Sequence, residues 1–263
     1  MGRISIASVT KRFESGESFV TALDDVNLTV EEKQIVTLVG ASGCGKSTLL
    51  NLIAGFETPT AGEVLVDGQF IKGPGPDRGV VFQQTSLFPW LSVEDNIAFG
   101  LTLRANQGKA DRKQVVERML KRTGLSQFRN RRSSELSGGM RQRAAIASVL
   151  AINPSTLLMD EPFGALDSLT RSIMQDFLLE IWEEQRKTVV LVTHDIDEAI
   201  YLADKTVVMT AHPGRICEVI DVDLPRPRKY EMRSESRFIA LRDHVTEIVR
   251  TEAIKGTEIW AVN

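Results

Sequence analysis

Gly40-Ala41-Ser42-Gly43-Cys44-Gly45-Lys46-Ser47 is an uninterrupted G-x-x-x-x-G-K-S run. A short β-branched apolar stretch at 35–39 precedes it, and an apolar run from Thr48 to Ala54 that reads as a helix follows it. Strand, glycine-rich turn and helix in that order make an anion cradle. The glycines let successive backbone N–H groups curl around a phosphate, and the helix start adds its partial positive charge. Lys46 then supplies a mobile cation for the β- and γ-phosphates, and Ser47 a hydroxyl for Mg²⁺. The run predicts a nucleoside-triphosphate site. Cys44 reads as a small filler inside it, and a thiol at that place predicts that alkylation blocks the nucleotide.

Such a site needs a second anchor for the metal. Thr156-Leu157-Leu158-Met159-Asp160-Glu161 is an apolar strand ending in two acids. That pattern assigns Asp160 to the metal and projects Glu161 toward the γ-phosphate, where it could polarise an attacking water.

Working outward, short β-rich runs at 35–39, 63–66, 79–82, 156–159, 188–192 and 206–209 alternate with amphipathic runs. The alternation predicts an α/β fold, a largely parallel sheet covered by helices. Segments 3–9 and 25–30 alternate polar and apolar residues about a turn at 14–18, which predicts an antiparallel flank. Between 85 and 154 the strands stop and helices are predicted at 93–103, 112–124 and 139–152. The expected division is an α/β core at 1–84 and 155–222, an inserted helical subdomain at 85–154, and a linker and helix at 223–263. On that last helix Phe238, Leu241, Val245, Ile248 and Val249 recur at helical spacing, a packing stripe.

Composition removes several classes of function. With 263 residues, 42% hydrophobic and 25% charged, the chain is long enough for one well-buried α/β domain or two small ones, and is not a disordered one. Thirty-two basic residues against 35 acidic ones leave a net charge of −3, which gives no overall attraction to nucleic acid. A local surplus of nine positive charges does fall between Arg104 and Arg143. It reads first as a solvated face, with anionic lipid headgroups or a partner as the alternative. Two distant cysteines, Cys44 and Cys217, make no disulfide framework, and no run approaches the roughly 18 to 20 apolar residues that span a bilayer.

Phosphate loop and acidic strand fit kinases, GTPases, helicases and transport ATPases alike, although a GTPase switch is weakened by the lack of an Asn-Lys-x-Asp motif. Leu136-Ser137-Gly138-Gly139-Met140-Arg141-Gln142-Arg143 discriminates further: a hydroxyl and paired glycines open a helix, making a second N-terminal anion site in a chain with one phosphate loop. Here the sequence resembles the ATP-binding cassette family over nearly its whole length, with the motifs in order. The resemblance implies a P-loop NTPase cassette that binds ATP and Mg²⁺ and works as a dimer with a second copy or a paralogous cassette. It implies nucleotide contacts from residues 40–48, and assigns Ser137, Gly138 and Gly139 to a signature motif completing the partner's site. Gln83, after the run 79–82, matches the glutamine that touches the metal and links to the membrane subunit. Asp167, in Ala165-Leu166-Asp167, matches the loop that meets its mate across the dimer, and His194 the switch histidine. Phe13 occupies the place of an aromatic that stacks on adenine, where the family more often has Tyr.

Fused membrane helices, a second cassette and long coiled coils, which mark other branches, are not in this sequence. It therefore resembles a stand-alone importer subunit, peripheral on the cytoplasmic face of a bacterial plasma membrane, that docks on separate permease subunits and acts with a periplasmic solute-binding protein indirectly. The bulky cluster Thr85-Ser86-Leu87-Phe88-Pro89-Trp90-Leu91 stands where a coupling helix would dock. Segments 73–79, Phe88-Pro89-Trp90 and His212-Pro213-Gly214-Arg215-Ile216 resemble the nitrate/sulfonate/taurine branch, and 238–243 is most like taurine importers. The alternative is a soluble cassette acting as a switch on a non-membrane partner.

Overall fold

The computed structural model describes residues 1–16, 18–103, 109–210 and 212–260, and the side chains of 109–111 and 256–260 are not among what it describes. Glu17 of the predicted turn, Arg104 of the basic run and residues 261–263 lie outside the described residues. In chain order the elements are β1 (Ile4–Ser15), β2 (Ser18–Val30), β3 (Ile35–Gly40), α1 (Lys46–Ala54), β4 (Ala61–Val66), β5 (Gln69–Phe70), β6 (Arg78–Val81), α2 (Val93–Leu103), α3 (Lys109–Arg122), α4 (Gly138–Ala151), β7 (Thr156–Asp160), α5 (Ser168–Gln185), β8 (Thr188–Val192), α6 (Ile196–Leu202), β9 (Lys205–Met209), β10 (Ile216–Asp221) and α7 (Ser236–Trp260).

Every residue of β3 and β8 is buried, as are the first four of β7, because these strands are covered on both faces. They form the middle of a sheet ordered β10-β9-β3-β8-β7-β6, in which all neighbours are parallel except the edge strand β10. Strand periodicity splits the apolar residues between the two faces. Ile35, Val39, Val189 and Leu191 face one core with α2, α4, α5, α6 and α7, while Val36, Leu38, Val190 and Val192 face a second core with α1.

The antiparallel flank is a separate sheet, ordered β2-β1-β4-β5. This corrects one expectation. The run at 63–66 does not belong to the parallel alternation but pairs antiparallel with β1, Ile6 opposite Val64. Its burial explains the difference: the strand is exposed along its first half and alternates only at Val64 and Val66, so it is half covered and suits the outer sheet. Ile4, Ile6, Val26 and Leu28 from that sheet meet Leu49, Leu52 and Ile53, which sandwiches α1 between the two sheets.

Between β6 and β7 the described chain carries no strand element, only α2, α3, α4 and short 3₁₀ turns. Much of the basic run is tied internally. Arg129 pairs with Glu94 and Glu117, Arg122 with Glu180 and Glu184, and Arg131 with Glu135, while Arg143 donates to the Thr123 carbonyl. Glu94, Glu180 and Glu184 lie outside the run, so they offset part of its surplus, whereas Glu117 and Glu135 are already in the count.

The C-terminal segment is bound along its length. Arg226 bonds Asp204 and lies over the Trp182 ring at 4.0 Å. Arg228 donates to the Ala203 carbonyl, and burial pulls its guanidinium down to about 10. Phe238, Leu241 and Val245 of α7 enter the larger core, with Ile248 and Val249 packed at its margin. Phe238→Ala should therefore cost about 3–5 kcal/mol, the range for deleting a fully buried aromatic. A urea unfolding curve checks it, and a midpoint matching the unmodified chain would show that α7 is not part of the core.

Candidate active site

The ends of β3, β8, β7 and β6 stand in a row along one sheet edge. Gly40 closes β3, Thr193 and His194 follow β8, Glu161 follows β7, and Phe82 and Gln83 follow β6. The carboxyl edge of an open parallel sheet is where such folds bind ligands.

Backbone geometry explains the glycines of the loop. Gly43 and Gly45 have φ of 78° and 90°, in the left-handed region. Gly45 has no room either: a Cβ there would stand 2.6 Å from Leu23 Cδ2 and 2.9 Å from the Ala22 carbonyl oxygen. Gly45 is also the N-cap of α1, and no side chain caps that end, so the first-turn N–H groups keep their donor capacity for an anion. Lys46 folds across the loop, its Nζ donating to the Gly40 and Ala41 carbonyls at 2.8 Å each.

A cleft of about 440 Å³ opens over these atoms, within the usual size of a small-molecule site. Seven of the nine residues from 40 to 48 line it, all but Ala41 and Cys44, together with Gln83, Glu161 and His194. Cys44 lies wholly buried beneath the loop as part of the α1 core. That burial fits the small filler, and it lets a reagent reach the thiol only when the loop region opens. Ala22, from β2, also lines the cleft, and a lone alanine carries no chemical signature that sequence reasoning could use.

Glu161 is the focus of the polar contacts. Gln83 Nε2 donates to its Oε2 at 3.0 Å, and His194 Nδ1 lies 3.2 Å from its Oε1. Its backbone has φ of 46°, a left-handed conformation that a residue with a Cβ adopts only when its surroundings impose it. Asp160 sits deeper. Burial pushes its carboxyl above the usual range, the Ser47 hydroxyl that donates to it pulls it back, the charge of Glu161 raises it, and Lys46 lowers it.

Other predicted residues are not brought to this cleft within the chain. Ser137 caps α4, accepting from Met140 N at 3.3 Å; it and Gly138 are exposed, with Gly139 half-buried beside them. Asp167 caps α5, and the backbone N–H of Thr170 that it accepts holds its carboxyl below the usual range. Phe13 is part-exposed on β1 with Lys11 Nζ 4.8 Å from its ring centroid. The aromatic cluster after Gln83 is a surface feature: Trp90 is 67% exposed, packs on Phe88 at 5.4 Å, and Phe88 meets Phe99 at 4.5 Å. Asn96, which sequence reasoning missed, clamps that loop by accepting from Phe88 N and donating to the carbonyls of Phe88, Leu91 and Ser92.

Comparison with known proteins agrees with this geometry. The ABC transporter family matches residues 23–164, and the chain belongs to that family as an ATP-hydrolysing cassette. It is 48% identical, over 97% of its length and 94% of the relative's, to an uncharacterized ABC transporter ATP-binding protein of Methanocaldococcus jannaschii. It is 46% identical over 94% of the chain and 92% of the relative to the nitrate import ATP-binding protein of Synechococcus elongatus. With the taurine import ATP-binding protein of Escherichia coli it shares 47% identity over 85% of the chain and 89% of the relative. Among solved structures, the dimeric post-hydrolysis state of an ATP-binding cassette bound to ADP and Pi superposes with a TM-score of 0.77 at 35% identity, over 84% of this chain and all of that one.

Gly45→Ala should weaken ATP binding about ten-fold or more, because left-handed strain and overpacking each cost about 1–3 kcal/mol. Titration with a fluorescent ATP analogue measures this. Gly68→Ala is the control, since Gly68 has a φ of 74° but open space around it; equal affinities in both variants would separate the loop's shape from binding.

Proposed function

We propose that this chain powers an importer for a small anion, of the class of taurine and other alkanesulfonates or nitrate. In this reading it lies on the cytoplasmic face of a bacterial plasma membrane, against separate permease subunits that a periplasmic solute-binding protein supplies. Among the described residues no helix is long and apolar enough to cross a membrane, and this reading assigns permeation to the permease subunits. The import names of the nitrate and taurine relatives support this reading over a switch acting on a non-membrane partner. Nucleic acid has no part in it.

The observation that carries the chemistry is the Glu161 carboxylate, held between Gln83 and His194 at the mouth of the phosphate loop. In this mechanism Glu161 accepts a proton from the attacking water as the γ-phosphate is cleaved to give ADP and phosphate. His194 and Gln83 orient that carboxylate, and Lys46 leaves the loop carbonyls for the phosphate oxygens. Ser47, Asp160 and the Gln83 amide oxygen are hard oxygen donors that suit Mg²⁺, and Ser47 and Gln83 both line the cleft. Bound there, Mg²⁺ would neutralise phosphate charge.

Ser137, Gly138 and Gly139 stand away from the cleft in their own chain, which fits them to complete the site of a second cassette. Asp167 would meet the mate across the same dimer, and Phe13 would stack on adenine. Because ATP binds the closed pair better than the open one, that difference in affinity supplies the closing work. We assign the α/β core to 1–84 and 155–222, the helical unit with the signature to 85–154, and 223–263 to a C-terminal unit.

Glu161→Gln should keep ATP affinity, lose hydrolysis by ~10²-fold or more, and accumulate an ATP-bound dimer. Full phosphate release by that variant, freed of contaminating ATPases, would remove Glu161 from the mechanism. Trp90→Ala should bind ATP normally yet assemble with the permease subunits more weakly by ~2 kcal/mol, as exposed anchor aromatics do. Co-purification from membranes reads the outcome, and undiminished assembly sinks the docking role.

A further inference from the structure

Behind Glu161 and His194 a narrow crevice runs inward past Arg171 to Glu198. Glu198 is 3% exposed and belongs to the third position of α6, whose N-cap is Asp195. In the usual capping box, an acid at that position reaches back to the N–H of the cap residue. Here the Asp195 N–H goes instead to the Thr193 hydroxyl at 3.0 Å, while the Glu198 N–H donates to the Asp195 carboxylate at 3.0 Å. His194 thus stands between two residues that a hydrogen bond joins across it. The Glu198 carboxylate accepts from Gln175 Nε2 at 2.8 Å, from α5. Gln175 is 1% exposed, and its Oε1 accepts from Arg233 Nη2 at 2.6 Å.

Arg233 comes from the 3₁₀ turn Tyr230–Ser234, ahead of α7, and its guanidinium lies over Tyr201 at 4.2 Å and Tyr230 at 5.2 Å. One buried amide therefore joins a cation of the C-terminal segment to an anion beneath the histidine loop. Its orientation is forced, since only the N–H₂ end can face a carboxylate and only the oxygen can face a guanidinium. Four residues earlier on α5, Arg171 bonds Asp195 at 3.1 Å and the Leu166 carbonyl at 3.3 Å, so the same helix face holds both Asp195 and Glu198 just after His194.

We propose that Arg233, Gln175 and Glu198 are positioning residues for ATP hydrolysis, through which the C-terminal turn 230–234 sets the placement of His194. This rests on the reading of His194 as a partner of Glu161. None of the three lines the nucleotide cleft. Losing the line displaces His194 from Glu161 and leaves the phosphate loop alone, so kcat changes and ATP affinity does not. The line also gives the C-terminal segment a route to influence hydrolysis from outside the cleft.

The test uses the full chain and Arg233→Met, which keeps a long side chain between the two tyrosines but removes the donor, with Glu198→Gln as the second variant. Both should lower kcat on the order of ten- to a hundred-fold, the scale for sub-ångström to ångström misplacement, with the Kd for ATP unchanged. Combining Arg233→Met with His194→Ala should give no further loss beyond His194→Ala, because residues acting as one unit are not additive. Unchanged kcat in both single variants overturns the proposal, as does a double variant whose loss is the product of the singles. A folded variant with weakened ATP binding and normal kcat also overturns it. If His194→Ala itself hydrolyses ATP normally, the role assigned to His194 falls, and the line with it; if His194→Ala is inactive while Arg233→Met is not, only the line falls.

Discussion

The parallel hydrogen-bond ladder through β3, β8, β7 and β6 holds four strand ends in fixed register, and the chemistry of the molecule depends on that row. Leu38 lies opposite Val192 and Asp160 opposite Val192, so the residues that follow emerge side by side. The ladder continues just past the strands: Thr193 N donates to the Leu38 carbonyl and Glu161 N to that of Val192. Glu161 is thereby bonded at its backbone to the strand that delivers His194, before any side-chain contact is made. A loop-borne pair would have to order itself at an entropic cost that this arrangement avoids.

Covering both faces of that ladder takes two different partners. On one side lie α4, α5, α6 and α7; on the other α1 and, beyond it, the antiparallel sheet. The helix that binds phosphate is thus also the filling between two sheets. Its N-terminal end meets the Ala22–Leu23 segment of β2 so closely that a single methyl on Gly45 would collide with it. Binding loop and outer sheet are therefore packed directly on one another at Gly45.

The parts of this arrangement legible in the sequence are the ones written in contiguous residues. Gly40 to Ser47 carry their own turn geometry, and Thr156 to Glu161 their own burial, so the loop, the acidic strand end and the neighbouring strands could be read directly. Sheet membership was less visible: Glu63 to Val66 looks like a core strand in isolation, and only its pairing with β1 places it elsewhere. The edge strand β10 was not read, as its mostly exposed residues lack an apolar run. The partners of the basic run were not visible for a similar reason, since Arg122 finds Glu180 and Glu184 some 60 positions away. The line from Glu198 to Arg233 is beyond any local pattern, because its members are separated by 23 and 58 positions in the chain.

Cys44 carries a practical consequence of the way the loop is seated. Its thiol is sealed under the phosphate loop, whereas Cys217 is exposed on β10. A thiol reagent therefore meets two sites in one molecule, one governed by its own chemistry and one that becomes reachable only when the loop region opens. The ratio of the two labelling rates is an internal clock for opening of the nucleotide site, independent of turnover. Nucleotide that tightens the loop slows one hand of that clock and leaves the other running.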